Sequence, residues 1–349
     1  MRIAFDSHKR YTFCSVADDR GKVIAEARIE HEQGALRRYL MQFPSGEPVA
    51  VEAMGSWYWI VDEIEAAGME ACLVSAQKAK LMLGCANKTD RLDARGLNLL
   101  AQAGTLPTVW IPPGELRDKR DLTRTRMMLR RTETRFKARI HAALARYALG
   151  LTEVSDIFAK GNRPSLRKQI EGLPEQTRYT TLVQLDYVDH LEGEIDRLEE
   201  RIKTVFGGSA TLSLVQTMPG IGPVLGLVIT LEVGDIGRFP SAAQYASYAG
   251  TTPRVHASGG KVRYGRLRSD VNHYLKWVYC EAANVVSRWR ENWPERHVCR
   301  LYNRLRARKG HAKAVGAVAR HLAEATWWIL TKEEAYREPA IRRKTSTGV

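Results

Sequence analysis

Asp6 closes the apolar run Ile3-Ala4-Phe5, and Glu52 closes a second one, Val49-Ala50-Val51. Asp90 and Asp93, in Lys88-Thr89-Asp90-Arg91-Leu92-Asp93-Ala94, stand three apart and so neighbour each other on one helical face. Strand-end acids and an i, i+3 acidic pair can meet at the carboxyl edge of a sheet, and such a set suits one chemistry above others. Phosphodiester exchange requires charge to be neutralised on a non-bridging oxygen and on the entering and leaving oxygens. Two divalent cations ~3.5–4 Å apart do this, and Mg²⁺ (or Mn²⁺) takes carboxylate oxygens. Singly, each acid reads as a solvated charge or a helix cap. The order and setting of all four point to a metal site.

A second cluster lies near the other end. Ser258 is followed by Gly259-Gly260, whose missing side chains let a phosphate approach the backbone. Lys261, Arg263, Arg266 and Arg268 come next, and residues 251–268 contain no acid. Such cations can hold a phosphate and offset charge growing on phosphorus. On its residues alone Ser258 remains an ordinary turn serine. Ser241 and Ser269 stand where helix N-caps are expected. Gly220-Ile221-Gly222 precedes an apolar run. It reads either as a phosphate-binding turn of the helix-hairpin-helix kind or as a tight turn before a helix. His256 reads as solvated; Trp57, Tyr58, Trp59, Trp327 and Trp328 read as core.

Several strings occur together: Ile3-Ala4-Phe5-Asp6; Val51-Glu52-Ala53-Met54-Gly55 followed by aromatics; and Thr89-Asp90-Arg91-Leu92-Asp93-Ala94-Arg95. Met218-Pro219-Gly220-Ile221-Gly222-Pro223, Tyr248-Ala249-Gly250-Thr251-Thr252-Pro253 and Ser258-Gly259-Gly260-Lys261 follow, the last with Gly265 and Arg266 close behind. In this combination, over most of its length, the chain resembles the DEDD-type insertion-sequence transposases of the 110 family, relatives of the Piv/MooV DNA invertases. The resemblance implies a first domain like the Holliday-junction resolvase RuvC, with its four metal-binding acids at Asp6, Glu52, Asp90 and Asp93. It implies a nucleophilic serine at Ser258, where relatives often carry two adjacent serines and this chain has Ala257-Ser258. It further implies a recombinase that cuts and rejoins DNA through a phosphoserine intermediate. A guide RNA encoded by the element, and assembly as a dimer or tetramer through long helices, belong to the same implication.

The elements that must position these residues follow from pattern. Residues 2–6, 11–16 and 23–29 predict three strands, the last two joined across Asp18-Asp19-Arg20-Gly21. A helix over 32–41, a buried strand over 48–52, a helix over 57–67 stopped by Gly68, a strand over 71–74 and a helix over 90–103 come next. That is the order of an RNase H-like α/β domain, expected over residues 1–105. Residues 106–206 predict a long-helix, coiled-coil region. Its first helix, 115–149, carries ten Lys/Arg against three acids between Arg117 and Arg139. That face is either solvated or meets nucleic acid or another protomer. Val188, Leu191, Ile195, Leu198, Ile202 and Val205 form a heptad seam, and a loop near 155–174 would fold the two helices into an antiparallel stalk. Residues 207–335 predict a mostly α-helical C-terminal domain. It contains a capping box at Ser241-Ala242-Ala243-Gln244, a helix ending at Gly250 and a basic loop or hairpin over 251–268. A further helix is expected from Ser269 or Asp270, with Val271, Leu275, Val278, Ala282 and Val285 on its apolar face. Residues 336–349 are expected to form a loose basic tail.

Of 349 residues, 44% are hydrophobic, enough for a packed core, which excludes wholesale disorder. The best apolar run, 224–231, falls far short of the ~18–20 residues that span a bilayer, so no membrane partner is expected. The N-terminus enters a strand pattern directly, without a signal-peptide core. The five cysteines (Cys14, Cys72, Cys85, Cys280, Cys299) are scattered, with no C-x-x-C. Buried thiols in a reducing cytoplasm, near the nucleoid, are expected. The net charge of +15 is uneven: residues 1–105 carry 13 basic and 14 acidic side chains, 106–206 carry 19 and 15, and 207–349 carry 22 and 10. A polyanion-binding protein concentrates positive charge where it meets phosphates, so DNA or RNA is the expected partner of the last segment. Two rivals stay open: a RuvC-like junction resolvase with water as nucleophile, and a non-catalytic nucleic-acid-binding protein.

Overall fold

The computed structural model describes residues 1–84, 89–150, 154–268 and 270–339. The chain divides into two compact units, Met1–Pro112 and Pro113–Val349.

In the first unit β1 (Arg2–Ser7), β2 (Tyr11–Ala17) and β3 (Val23–Glu30) form an antiparallel meander. Asp18 shapes the β2–β3 turn, its carboxylate accepting from the Arg20 and Lys22 amides. α1 (Ala35–Leu40), β4 (Pro48–Glu52), α2 (Trp57–Ala66), β5 (Glu70–Val74), α3 (Ala76–Leu83) and α4 (Asp90–Gln102) follow. β4 pairs in parallel with β1, and β5 in parallel with β4, giving the strand order β3-β2-β1-β4-β5. β1 and β4 are apolar on both faces because both faces are covered. Ile3, Phe5, Val49 and Val51 pack with Leu36 and Leu40 of α1 and Ile60, Val61 and Ile64 of α2. Ala4, Ala50 and Val74 pack instead with Leu97 and Leu100 of α4. α1 is shorter than its pattern predicts, since it begins after Gly34, whose φ of +76° cannot belong to a helix. Nothing in the pattern points to α3, whose Leu81 and Met82 lie exposed. Trp57 and Trp59 pack at the margin of the first core.

The second unit is helical. α5 (Gly114–Arg146), α6 (Arg163–Glu171) and α7 (Glu175–Phe206) come first. α5 and α7 pack antiparallel, Arg126 meeting Glu199 at 2.6 Å and Lys137 meeting Glu192 at 2.9 Å. The segment expected as a loop instead holds α6, whose Leu166 and Ile170 join Ile140, Leu144, Leu185 and Val188 in a core. Only the first half of the heptad seam is well covered. Val188, Leu191 and Ile195 are buried, whereas Leu198, Ile202 and Val205 are partly exposed. The reason is that α6 lies along the near end of α7, with Arg163 on Asp189 and Glu192 (2.9 Å each) and Arg167 on Asp186 (3.0 Å). Part of the basic face of α5 is used within the chain, while Arg131, Arg135 and Arg139 stay exposed. Arg124, Arg126, Arg130 and Lys137 are engaged by Glu232, Glu199, Glu133 and Glu192 within the chain.

α8 (Ala210–Gln216), α9 (Pro223–Val233), α10 (Ala242–Tyr248), the hairpin of β6 (Pro253–Ser258) and β7 (Lys261–Leu267), α11 (His273–Trp289), α12 (His297–Lys309) and α13 (His311–Lys332) complete the unit. Their core centres on Tyr245 and Tyr279, whose hydroxyls lie 2.6 Å apart, with Tyr279 donating onward to Thr326 at 2.8 Å. Ser241 caps α10, accepting from the Gln244 amide. The cap of α11 is Asn272, not Asp270: its Oδ1 accepts from the Tyr274 and Leu275 amides at 3.0 Å each. Ser269 lies outside the described residues. On α11 Leu275, Val278 and Ala282 are buried as predicted, but Val271 and Val285 are only partly covered, and Tyr279, Ala283 and Val286 complete the face. Trp327 packs on the core, whereas Trp328 is half exposed, with Lys332 over its ring. The start of the expected tail is anchored, because Tyr336 packs against the core and its amide donates to Thr217 Oγ1 at 2.8 Å; residues 340–349 lie outside the described residues. Cys14 and Cys299 are buried, Cys72 and Cys280 partly so; Cys85 is outside the described residues. No described helix is long and apolar enough to cross a membrane.

Candidate active site

The two strand-end acids each follow directly on the last paired rung of β1 and β4. In the parallel β1–β4 ladder Ala4 pairs with Ala50 and Phe5 with Val51, and Asp6 and Glu52 come next on the two strands. Side chains alternate along a strand, and Ala4 and Ala50 face α4; Asp6 and Glu52 therefore face it too. Asp90 and Asp93 occupy the first turn of α4. Thr89 caps that helix, its hydroxyl accepting from the Leu92 amide, and both acids complement the positive end of the helix dipole. Three contacts fix α4 over the sheet. Arg95 grips Glu26 of β3 through two bonds of 2.8 and 3.1 Å, Arg91 reaches the same carboxylate at 3.2 Å, and the buried Asn98 amide donates to the Ser15 carbonyl at 2.9 Å.

Asp6 is only 7% exposed. Burial pushes its carboxyl above the usual range; His8 pulls it back, and the charges of Asp93 and Asp90 add to the rise. His8 Nε2 lies 3.1 Å from Asp6 Oδ2 and 3.2 Å from Asp90 Oδ1. The other Asp90 oxygen accepts from the Tyr11 hydroxyl at 2.7 Å, and that bond holds Asp90 below the usual carboxylate range. Asp6, His8 and Asp90 thus offer ligand atoms within 4.8 Å of one another. Like charges crowded at a partly buried edge favour a bound cation, which removes both the repulsion and the desolvation cost. The donors are mostly carboxylate oxygens, which fit Mg²⁺ or Mn²⁺. Of the four acids expected to hold the metal, only Asp6 and Asp90 are in that triplet; Glu52 follows the last paired rung beside Asp6's strand, and Asp93 stands one turn along α4.

In the second unit Ser258 ends β6 and pairs with Lys261 across a two-residue turn. Gly259 and Gly260 take φ of +55° and +74°, the mirror-image conformation that joins twisted strands. Ser258, Lys261, Arg263 and Arg266 are all exposed, and among the described residues no carboxylate pairs with these three cations. Arg268 differs: it is clamped to Asp270 at 2.5 Å, holding that carboxyl down to about 2, and its carbonyl accepts from Lys276 Nζ. His256 is exposed, as predicted. The two glycines of the Gly220-Ile221-Gly222 turn have separate surroundings. Gly220 has φ +79°, and a Cβ there would stand 2.6 Å from the Ala282 carbonyl of α11. Gly222 is exposed at the N-cap of α9, with open space where a Cβ would be. Beneath the hairpin's exit Glu232 is fully buried, accepting from Arg124 at 2.7 and 3.0 Å and from Asn272 Nδ2 at 2.9 Å.

A model of DEDD-type IS110 transposases matches residues 3–149, and that of the transposase IS116/IS110/IS902 family matches residues 212–298. The chain belongs to this transposase family. The transposase is 25% identical over 348 residues to a protein of Pseudomonas aeruginosa described as a probable family 20 transposase, covering 96% of this chain and 98% of the relative. It is 27% identical over 333 residues to the transposase for insertion sequence element IS1111A of Coxiella burnetii, covering 94% and 88%. It is 21% identical over 287 residues to the transposase for IS1328 of Yersinia enterocolitica, covering 81% and 84%. As the transposase of an IS110-family insertion element it binds DNA and cleaves and joins it. Sequence reasoning passed over His8 and Tyr11 in this transposase. The available signal was a histidine two residues beyond a strand-end acid, hence on the same side of the strand. Among the basic helices expected after α11 is α12, whose exposed Arg304, Arg306, Arg308 and Lys309 share a helix with no acid.

Proposed function

We propose that this transposase excises and inserts its element using the acidic edge of a RuvC/RNase H-like first unit as a metal site and Ser258 as nucleophile. The observation that carries the reading is the shared face: Asp6 and Glu52, each next after the paired Phe5 and Val51, under the helix that begins with Asp90 and Asp93. The strand order β3-β2-β1-β4-β5 supports the fold assignment. Asp6, Glu52, Asp90 and Asp93 would hold Mg²⁺ (or Mn²⁺), which when bound neutralises charge on the scissile phosphate and on the entering and leaving oxygens. Ser258 Oγ attacks phosphorus. The Oγ–P bond forms, the P–O3′ bond breaks, the serine proton passes to solvent, and O3′ takes up a proton and leaves as a free hydroxyl. Attack by another strand's 3′-hydroxyl reverses these changes and rejoins the ends without ATP. Lys261, Arg263 and Arg266, with the open backbone of Gly259, Gly260 and Gly222, hold nucleic-acid phosphates; Gly220 and Arg268 support those surfaces from within. A guide RNA encoded by the element and a dimer or tetramer built through α5 and α7 complete the reading. In their support stand the 22 basic against 10 acidic residues of 207–349 and the exposed Tyr179, Val183 and Tyr187 on α7.

The test uses nicked DNA substrates that trap covalent adducts, resolved under denaturing conditions. The native transposase should yield a protein–DNA adduct. Ser258→Ala should lose the adduct while still binding DNA, and Asp6→Asn should lose cleavage. Full cleavage by Ser258→Ala would make water the nucleophile; unchanged cutting by Asp6→Asn would remove the acids from the chemistry altogether. Sequencing the RNA that copurifies with the native protein tests the guide.

A further inference from the structure

We infer that His8 is itself a metal ligand, so that the site is a mixed nitrogen–oxygen site selective for Mn²⁺ over Mg²⁺. The inference rests on the reading that the acidic edge holds a divalent cation. His8 Nε2 stands 3.1 Å from Asp6 Oδ2 and 3.2 Å from Asp90 Oδ1. An octahedral cation with bonds of ~2.1 Å spaces neighbouring ligand atoms ~3 Å apart, which matches both distances from His8 Nε2, and all three ligand atoms lie within 4.8 Å of one another. Their orientation is fixed by contacts outside the triplet. The Tyr11 hydroxyl occupies Asp90 Oδ2, which leaves Oδ1 turned toward the imidazole. The His8 ring lies against the Tyr11 ring, centroids 4.7 Å apart, and the Arg28 guanidinium lies 3.8 Å from the Tyr11 centroid. Both the acid and the imidazole are therefore aimed by one tyrosine, as outer-shell groups aim metal ligands. An imidazole nitrogen suits first-row transition metals, whereas Mg²⁺ takes oxygen and gives up its waters reluctantly.

The experiment is pulsed EPR on the metal-stripped, full-length protein loaded with one equivalent of Mn²⁺, with affinities for Mn²⁺ and Mg²⁺ measured by calorimetry. The native protein should show electron-spin-echo modulation from a directly bound ¹⁴N, and His8→Gln should abolish it. His8→Gln should also weaken Mn²⁺ by about tenfold while changing Mg²⁺ much less, within the range that perturbing a metal's ligand sphere produces. The echo from the native protein decides the matter even if the variant folds poorly. Bound Mn²⁺ without nitrogen modulation, or modulation that survives His8→Gln in a folded protein, means that the imidazole only hydrogen-bonds the acids. Either result overturns the inference and leaves the acidic site standing. Failure of the native protein to bind Mn²⁺ at all would remove the acidic metal site as well.

Discussion

Among the described residues Glu232, on α9, is a fully buried carboxylate with partners on α5 and at the N-cap of α11, so its replacement has a cost that can be worked through. Its oxygens accept from Arg124 Nε at 2.7 Å, Arg124 Nη2 at 3.0 Å and Asn272 Nδ2 at 2.9 Å, with Arg120 Nε 3.8 Å away. Glu232→Ala removes the buried carboxylate that Arg124 and Arg120 face, on side chains 25% and 6% exposed. Removing one partner of a buried pair costs ~3–5 kcal/mol. Arg120 retains bonds to the Leu231 and Glu232 carbonyls at 2.8 and 3.0 Å, which places the expected loss at the lower end. Taking ~3 kcal/mol with a urea slope of ~3 kcal/mol/M, the midpoint should fall by about 1 M. Urea unfolding followed by tryptophan fluorescence reads it, since Trp277, Trp289, Trp293, Trp327 and Trp328 all report on the second unit. Glu291→Ala is the control: its pair with Arg290 leaves the acid 80% exposed. That loss should stay below ~0.5 kcal/mol. If Glu232→Ala unfolds within ~1 kcal/mol of the native protein, the buried-charge reasoning fails, because even the low end of the range is excluded.

Three further outcomes are expected. Gly220→Ala should lose more than ~2 kcal/mol, combining a left-handed backbone with a clash against the Ala282 carbonyl, whereas Gly222→Ala should lose less than ~1 kcal/mol; thermal melts compare them. His321, held down to about 4 by burial and by His297 against the pull of Glu324, is neutral in the fold, so its stabilisation is complete above its ordinary value of 6.5. It is lost as pH falls from there toward 4, by about 2–3 kcal/mol after allowance for partial exposure, and His321→Gln should flatten that part of the stability profile. Replacing Lys261, Arg263 and Arg266 together by Gln should weaken duplex binding for all sequences and shrink the slope of log affinity against log salt by ~2–3, measured by fluorescence anisotropy; an unchanged slope would place the phosphate contacts elsewhere.

Much of the acidic edge was legible because its signals are local. A carboxylate that ends an apolar strand marks a strand terminus, and two acids three apart share a helix face whatever the fold. What no local pattern contains is that β1 pairs with β4, skipping β2 and β3, which is what brings Asp6 and Glu52 to the ends of adjacent strands. The same holds for Tyr11, which meets Asp90 across 79 positions of sequence. Ser269 and Asp270 stand before α11, and Asn272, past Val271, follows them; all three have the side chain of an N-cap, so propensity alone does not reach Asn272. Asn272 is the cap whose amide can also reach buried Glu232, and that distant contact favours it. The internal pairing of part of the α5 charge was hidden for a similar reason: its acidic partners Glu192, Glu199 and Glu232 lie 55 or more positions downstream.

The β6–β7 ribbon has side chains in water on both of its faces, Val255, Val262 and Tyr264 included. Two strands without an apolar backing hold together only marginally. Its opening free energy therefore belongs at the low end of the molecule's range, and its amides should exchange first. In the function proposed above, the attacking hydroxyl of Ser258 rides on this arm and is poorly aimed until a polyanion braces it. Idle copies of the protein would then do little damage to the chromosome that carries them, a form of restraint that needs no separate inhibitor.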